Sequence, residues 1–125
     1  ELLEDNARTI VGPVISERCK PELRNHTIET AGVLNKAGVP MCICTDHPVV
    51  PEQYLPLSAG LAVRGGLDRD EALKAITIYP AQITGIADRV GSIEPGKDAD
   101  IIIFSGDPLS VSDTPDTVII NGKVI

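Results

Sequence analysis

The pattern of apolar and polar positions divides the chain into short β-rich runs and longer segments with helical spacing. The first apolar run is TIVGPVIS, residues 9–16, whose Gly-Pro pair predicts a strand that bends or meets a loop at its end. Residues 21–39 carry apolar side chains at intervals of about 3.6 and then reach Gly38, which predicts a helix with a glycine stop. The run VPMCICT, residues 39–45, has no polar alternation, as is typical of a parallel strand covered on both faces. Together the three segments predict a βαβ unit.

Two more helical segments follow this unit. Residues 52–66, EQYLPLSAGLAVRGG, have helical spacing and end in a glycine pair. Residues 68–86 begin with Asp68, an acid whose side chain can cap the first turn by accepting a backbone N–H. Pro80 lies within this segment and is expected to end or bend the helix, because proline lacks the N–H that a helix interior needs.

The character of the chain changes near residue 90, where turn residues separate short apolar runs. The sequence NGK, residues 121–123, contains the Asn-Gly pair that favours a two-residue hairpin turn. We therefore expect an α/β part over residues 1–89 and a small antiparallel β part over residues 90–125. Because the α/β part has only two strand candidates and the chain opens on ELLEDN as if within a helix, we expect a piece of a larger fold.

Composition limits the classes of partner. The 125 residues carry a net charge of −7, and an acidic surface does not attract nucleic acid or an anionic membrane, so we expect neither as a partner. No apolar stretch approaches the roughly 20 residues that cross a bilayer. The three cysteines are an odd number without the spacing of a disulfide framework, which favours reduced thiols and a cytoplasmic location.

Asp46 is the strongest candidate for chemistry. It follows the predicted strand 39–45, and α/β folds place catalytic groups where parallel strands run into their loops. Strand alternation would put Cys42, Cys44 and Asp46 on one face. The alternative is an Asx cap of the following turn, and position alone does not separate the two.

The other polar candidates have simpler interpretations. His47 could contact a substrate, but a solvated loop histidine is the favoured interpretation. His26 has no acidic or sulfur neighbour at ligand spacing and is expected to be solvated or to cap a helix. Cys42 and Cys44 are one residue apart, whereas structural zinc sites use two to four intervening residues and four ligands, so we expect both thiols to fill the interior.

Read together, three stretches resemble a known family. They are ICTDHP, the long stretch from YLPLSAG to GSIEPGKDADIIIF, and VIINGKVI. They closely resemble the C-terminal part of metal-dependent amidohydrolases, especially the group that includes imidazolonepropionase and Xaa-Pro or Xaa-Arg dipeptidases. The resemblance covers essentially the whole chain, and its most specific element is GSIEPGKDADIIIF.

The resemblance implies a (β/α)₈ TIM barrel with a small composite β domain. TIVGPVIS then corresponds to the seventh barrel strand, VPMCICTD to the eighth, and residues 90–125 to the C-terminal share of the β domain. Asp46 matches the acid of the eighth strand, which in the family binds a divalent metal, most often zinc, and shuttles a proton to the leaving nitrogen. The implied substrate is a small amide, cyclic amide or dipeptide, with His47 as a possible contact.

The family's remaining metal ligands have no counterpart in this sequence. The His-x-His pair, the Lys or Glu and the later histidines belong to strands that precede this stretch in the family. His47 also departs from the imidazolonepropionase pattern, which leaves a dipeptidase-like amidohydrolase, or one of unassigned substrate, as an equal possibility. We therefore expect the isolated chain to be inactive, and to form a homo-oligomer through uncovered strand edges. The alternative is a non-catalytic α/β assembly module in which Asp46 only caps a turn.

Overall fold

The computed structural model describes residues 1–18 and 20–125, which form two small sheets and four α-helices. In chain order the elements are β1 (Thr9–Val11), α1 (Thr30–Lys36), β2 (Met41–Ile43), α2 (Leu55–Arg64), α3 (Arg69–Ala75), α4 (Ile78–Thr84), β3 (Ile101–Ile103), β4 (Thr117–Ile120) and β5 (Lys123–Val124). Short 3₁₀ turns occupy Pro21–Leu23 and Glu52–Tyr54. None of the helices in this part of the chain is long and apolar enough to cross a membrane.

β1 and β2 form a parallel pair with α1 between them in sequence. Ile10 lies opposite Cys42, and the Cys44 N–H extends the ladder by donating to the Val11 carbonyl at 2.9 Å. All three residues of β2 are buried, as its run without polar alternation predicts. The predicted βαβ order and the doubly covered second strand are thus confirmed.

α1 is shorter than the predicted segment 21–39. The Thr27 side chain accepts the Glu29 N–H at 3.3 Å, and the Thr27 carbonyl accepts the Thr30 hydroxyl at 3.0 Å. These local bonds hold the chain in turns before the helix begins, as threonine side chains often do. The predicted glycine stop is confirmed, because Gly38 has a φ of +75° and the next N–H closes back on the Leu34 carbonyl at 3.0 Å.

The helices pack against β2 largely through alanine side chains. The core cluster consists of Val14, Ala31, Met41, Ile43, Ala59, Ala62, Leu67, Ala72, Ala75 and Leu109. The predicted cap is confirmed, since the Asp68 carboxylate accepts the N–H groups of Asp70 and Glu71. The helix breaks at Ile76 and Thr77, ahead of Pro80, because Pro80 has no N–H to offer the carbonyl four residues earlier.

The C-terminal part forms an antiparallel sheet in the order β3-β4-β5. Asn121 and Gly122 have φ values of +50° and +74°, so the predicted two-residue hairpin turn between β4 and β5 is confirmed. Leu109 joins the helical core, and Arg69 at the start of α3 pairs with Asp107 at 2.8 Å. Both contacts help to hold the C-terminal part against the helices.

Candidate functional site

The carboxyl ends of β1 and β2 meet at one edge because the strands are parallel. β1 leads into Gly12, and β2 leads through Cys44 and Thr45 to Asp46. The backbones are in close contact here, since a Cβ built on Gly12 would lie 2.2 Å from the Cys44 carbonyl oxygen. This edge is where α/β folds collect the groups that act on a ligand.

Asp46 begins a tight turn at this edge. Its φ is +55°, in the left-handed region that aspartate tolerates better than most residues, and its carbonyl accepts the Val49 N–H at 2.9 Å. The side chain is exposed, and no hydrogen bond or ion pair joins its carboxylate to another described residue. The Asx cap that offered the alternative interpretation is therefore not formed, and both carboxylate oxygens are open to a ligand.

The regular strand does not extend to Asp46. β2 ends at Ile43, and the turn that starts at Asp46 has left the extended conformation. The alternation of side chains along a strand therefore does not set the direction of the Asp46 side chain. The expectation that Asp46 shares a strand face with Cys42 and Cys44 does not apply to it. The position of this carboxylate depends instead on how the segment 44–46 rests against the end of β1.

The two histidines have different environments. His47 is exposed within the turn that begins at Asp46. His26 was expected to be solvated or to cap a helix, but it is partly buried, and its Nε2 lies 2.9 Å from the Pro13 carbonyl oxygen. His26 thus ties the loop after β1 to the segment before α1. Sequence spacing gave no signal for this contact, because the partner is a backbone carbonyl.

The cysteines that the structure describes are packing residues. Cys42 is buried and Cys44 partly buried, and neither forms a disulfide. Burial, and then the nearby Cys44, raises the pKa of the Cys42 thiol, which keeps it protonated and a poor metal ligand at neutral pH. Cys19, the third cysteine, lies outside the described residues.

The chain does not assemble a metal site by itself in the part that the structure describes. Residues 1–18 and 20–125 contain no group of three or more His, Cys, Asp or Glu side chains placed to hold an ion. Asp46 nevertheless fits a divalent cation as a single donor, because its carboxylate is exposed and unpaired within these ranges.

A cavity and a polar cluster lie at the opposite edge, where the strands begin. The cavity has a volume of about 530 Å³ and is lined by residues that include Arg8, Pro40 and Tyr79. The Tyr79 hydroxyl donates to Glu71 at 2.6 Å, and Lys74 donates to the same carboxylate at 2.7 Å. The bond from Lys74, followed by that from Tyr79, lowers the pKa of Glu71. This cluster joins α3 to α4 and is separate from Asp46.

Comparison with known proteins identifies the fold family. A profile of the amidohydrolase family matches residues 4–125. A solved amidohydrolase from Thermotoga maritima superposes with a TM-score of 0.94 and 40% identity, over 99% of this chain and 32% of that one. A Xaa-Pro dipeptidase structure with bound methionine superposes with a TM-score of 0.69 and 27% identity, over 81% of this chain and 26% of that one.

Curated relatives agree with the structural comparison. The imidazolonepropionase of Geobacillus kaustophilus is 46% identical over 72 residues, which are 55% of this chain and 17% of that protein. The chain thus spans about a third or less of the length of the proteins that it matches. The amidohydrolase neighbours are of the TIM-barrel type, and this chain corresponds to a fragment of them. Because the profile covers nearly all of its residues, the chain belongs to the amidohydrolase family.

Proposed function

We propose that the full-length polypeptide carrying this chain hydrolyses a C–N bond in a small amide, cyclic amide or dipeptide, with Asp46 as metal ligand and proton shuttle. The observation that carries the proposal is the exposed Asp46 carboxylate, which has no partner among residues 1–18 and 20–125. It lies at the carboxyl edge of a parallel strand pair, in a chain of the amidohydrolase family. The relatives named imidazolonepropionase and Xaa-Pro dipeptidase favour cyclic amides and dipeptides as the substrates to try first.

The role of Asp46 follows from the chemistry of amide hydrolysis. A bound divalent ion, for which zinc is the first candidate, polarises a carbonyl and lowers the pKa of a coordinated water toward about 7. The Asp46 carboxylate can ligate such an ion through one oxygen, accept the proton that the attacking water loses, and deliver it to the leaving nitrogen. The other ligands must come from outside the described residues, so the isolated chain is expected to be inactive.

His47 is proposed as a substrate contact. It is adjacent to Asp46 in the same turn, and its ring is exposed. An imidazole can donate or accept a hydrogen bond, which suits the polar ends of an amide or a dipeptide.

We also infer how this chain is placed in the whole fold. β1 and β2 correspond to the seventh and eighth barrel strands, residues 1–89 to the barrel, and residues 90–125 to a share of a composite β domain. The separation of the parallel pair from the antiparallel sheet supports this division. The free strand edges and exposed apolar residues of both sheets support a homo-oligomer for the isolated chain.

Asp46→Asn in the full-length polypeptide tests the catalytic role. Asparagine keeps the shape and tolerates the left-handed backbone, but it cannot accept the proton, so kcat should fall by about 10²- to 10⁴-fold. Asp88→Asn, at another exposed turn position, is the matched control and should leave kcat unchanged. Turnover would be measured on cyclic amides and Xaa-Pro dipeptides with saturating zinc, alongside the bound metal content.

Two results would contradict the proposal. Near-normal kcat for Asp46→Asn at full metal content would remove Asp46 from the mechanism. A full-length polypeptide that binds no divalent metal and hydrolyses none of these substrates would favour the non-catalytic assembly module.

A further inference from the structure

The end of β1 approaches the end of β2 more closely than a side chain would permit. A Cβ built on Gly12 would lie 2.2 Å from the Cys44 carbonyl oxygen and 2.8 Å from the Cys44 Sγ. Ordinary contact begins near 3.4 Å, so the backbone of one strand would have to move by about 1 Å to admit a methyl group. The absence of a side chain at residue 12 is thus required by the observed geometry.

The atom that a methyl group would strike belongs to the segment that carries Asp46. The Cys44 carbonyl is two residues before Asp46, and the Cys44 N–H donates to the Val11 carbonyl at 2.9 Å. Thr45, between them, is buried. A shift of the Cys44 backbone therefore passes directly to the turn at Asp46, because a buried neighbour leaves little room to absorb it.

We propose that Gly12 is a positioning residue for Asp46: its lack of a side chain lets segment 44–46 rest against β1 and so sets the place of the carboxylate. The inference rests on the proposed function of Asp46. A misplacement of about 1 Å at a reacting group can cost about 10²-fold in rate. Gly12 would act on the reaction only through Asp46, without touching the substrate.

The test compares Gly12→Ala with Gly65→Ala in the full-length polypeptide. Gly65 is a matched control because its added Cβ would also lie 2.2 Å from a carbonyl oxygen, that of Ile28 in the turn before α1. We expect Gly12→Ala to lower kcat by about 10²-fold with little change in KM. In the Asp46→Asn background the same substitution should have almost no further effect, because the group that it displaces has already been disabled. Gly65→Ala should lower stability and leave the kcat of the folded fraction unchanged.

A second measurement does not depend on activity. The rate at which iodoacetamide alkylates Cys44, followed by peptide mass spectrometry, should rise in Gly12→Ala and stay unchanged in Gly65→Ala. If Gly12→Ala is insoluble, Cys44→Val crowds the same gap from β2, and Cys44→Ala is its relaxed control. Cys44→Val should then lower kcat while Cys44→Ala retains it.

The outcomes separate this inference from the proposed function. If Gly12→Ala lowered kcat by the same factor with and without the Asp46→Asn substitution, or left the Cys44 alkylation rate unchanged, the positioning role would be overturned. A normal kcat in Asp46→Asn would instead overturn the proposed function, and the alkylation rate would still decide whether Gly12 sets the position of segment 44–46.

Discussion

Leu109→Ala should weaken the packing of the C-terminal part of the chain against the helices and so lower the stability of the chain. Leu109 is 8% exposed and is the member of the core cluster that comes from beyond residue 90. The surrounding loop lies directly on α2, since a Cβ built on Gly60 would be 2.6 Å from the Leu109 carbonyl oxygen. Among the described residues, Leu109 is thus the side chain that residues 90–125 contribute to this core cluster.

The expected loss can be worked out from the atoms removed. Replacing leucine by alanine removes three carbons, which at about 0.8 kcal/mol each amounts to about 2.4 kcal/mol of burial free energy. The unfilled space adds to this, so the free energy of unfolding should fall by about 3 kcal/mol, within the usual 2–5 kcal/mol for such substitutions. With an m value of about 2 kcal/mol/M, the urea midpoint should fall by about 1.5 M.

Urea unfolding followed by far-ultraviolet circular dichroism measures this change, which suits a chain without tryptophan. Val111→Ala is the control, because Val111 lies two residues away and is 80% exposed, so its loss should stay within about 0.5 kcal/mol. If the two variants unfolded at the same urea concentration, the Leu109 contact would not stabilise the chain and the reasoning would be wrong.

Three other outcomes are expected. Tyr79→Phe should lower the free energy of unfolding by about 1 kcal/mol at neutral pH. Because the pKa of Glu71 is lowered from its usual 4.5, the stability that this carboxylate contributes is present above pH 4.5 and is lost as the pH falls through the lowered pKa. If thermal melts showed the same stability difference between Tyr79→Phe and the parent chain in acid as at neutral pH, the contribution of the Tyr79–Glu71 bond would be refuted. Calorimetric titration of the isolated chain with zinc should show weak binding, and submicromolar stoichiometric binding abolished by Asp46→Ala would reveal further ligands. Light scattering of the isolated chain at micromolar concentration should show a dimer or a larger species. A single species of 13.2 kDa would contradict the predicted homo-oligomer.

The features predicted correctly from the sequence are those fixed by local chemistry. The Gly38 stop, the Asp68 cap and the Asn121-Gly122 turn each depend on a few adjacent residues whose conformational preferences are strong. The predicted start of α1 was wrong because Thr27 forms competing local hydrogen bonds, which the spacing of apolar residues does not reveal. The predicted interruption at Pro80 is confirmed, and it falls at Ile76 and Thr77 because proline leaves the carbonyl four residues earlier without a partner.

The candidate site could be predicted only in part from the sequence, for a different reason. Asp46 could be located because it follows a buried strand, but the close contact at Gly12 depends on the pairing of Ile10 with Cys42, residues 32 positions apart. The bond between His26 and the Pro13 carbonyl likewise depends on how two loops fold together. The first contact follows from strand register and the second from loop packing, and a single sequence specifies neither on its own.

The free edge of β1 bears on both the association of the chain and the surroundings of Asp46. Ile10 is 62% exposed, whereas its partner Cys42 is 4% exposed, so apolar surface remains uncovered on the β1 side of the pair. A strand that paired with the free edge of β1 in parallel would cover Ile10 and satisfy the unpaired backbone groups of β1. Because parallel strands place their carboxyl ends together, that strand would also end at the sheet edge on which Asp46 lies, next to the end of β1. A strand that covered this apolar surface could thus bring further side chains to the edge at which we propose that Asp46 binds a metal.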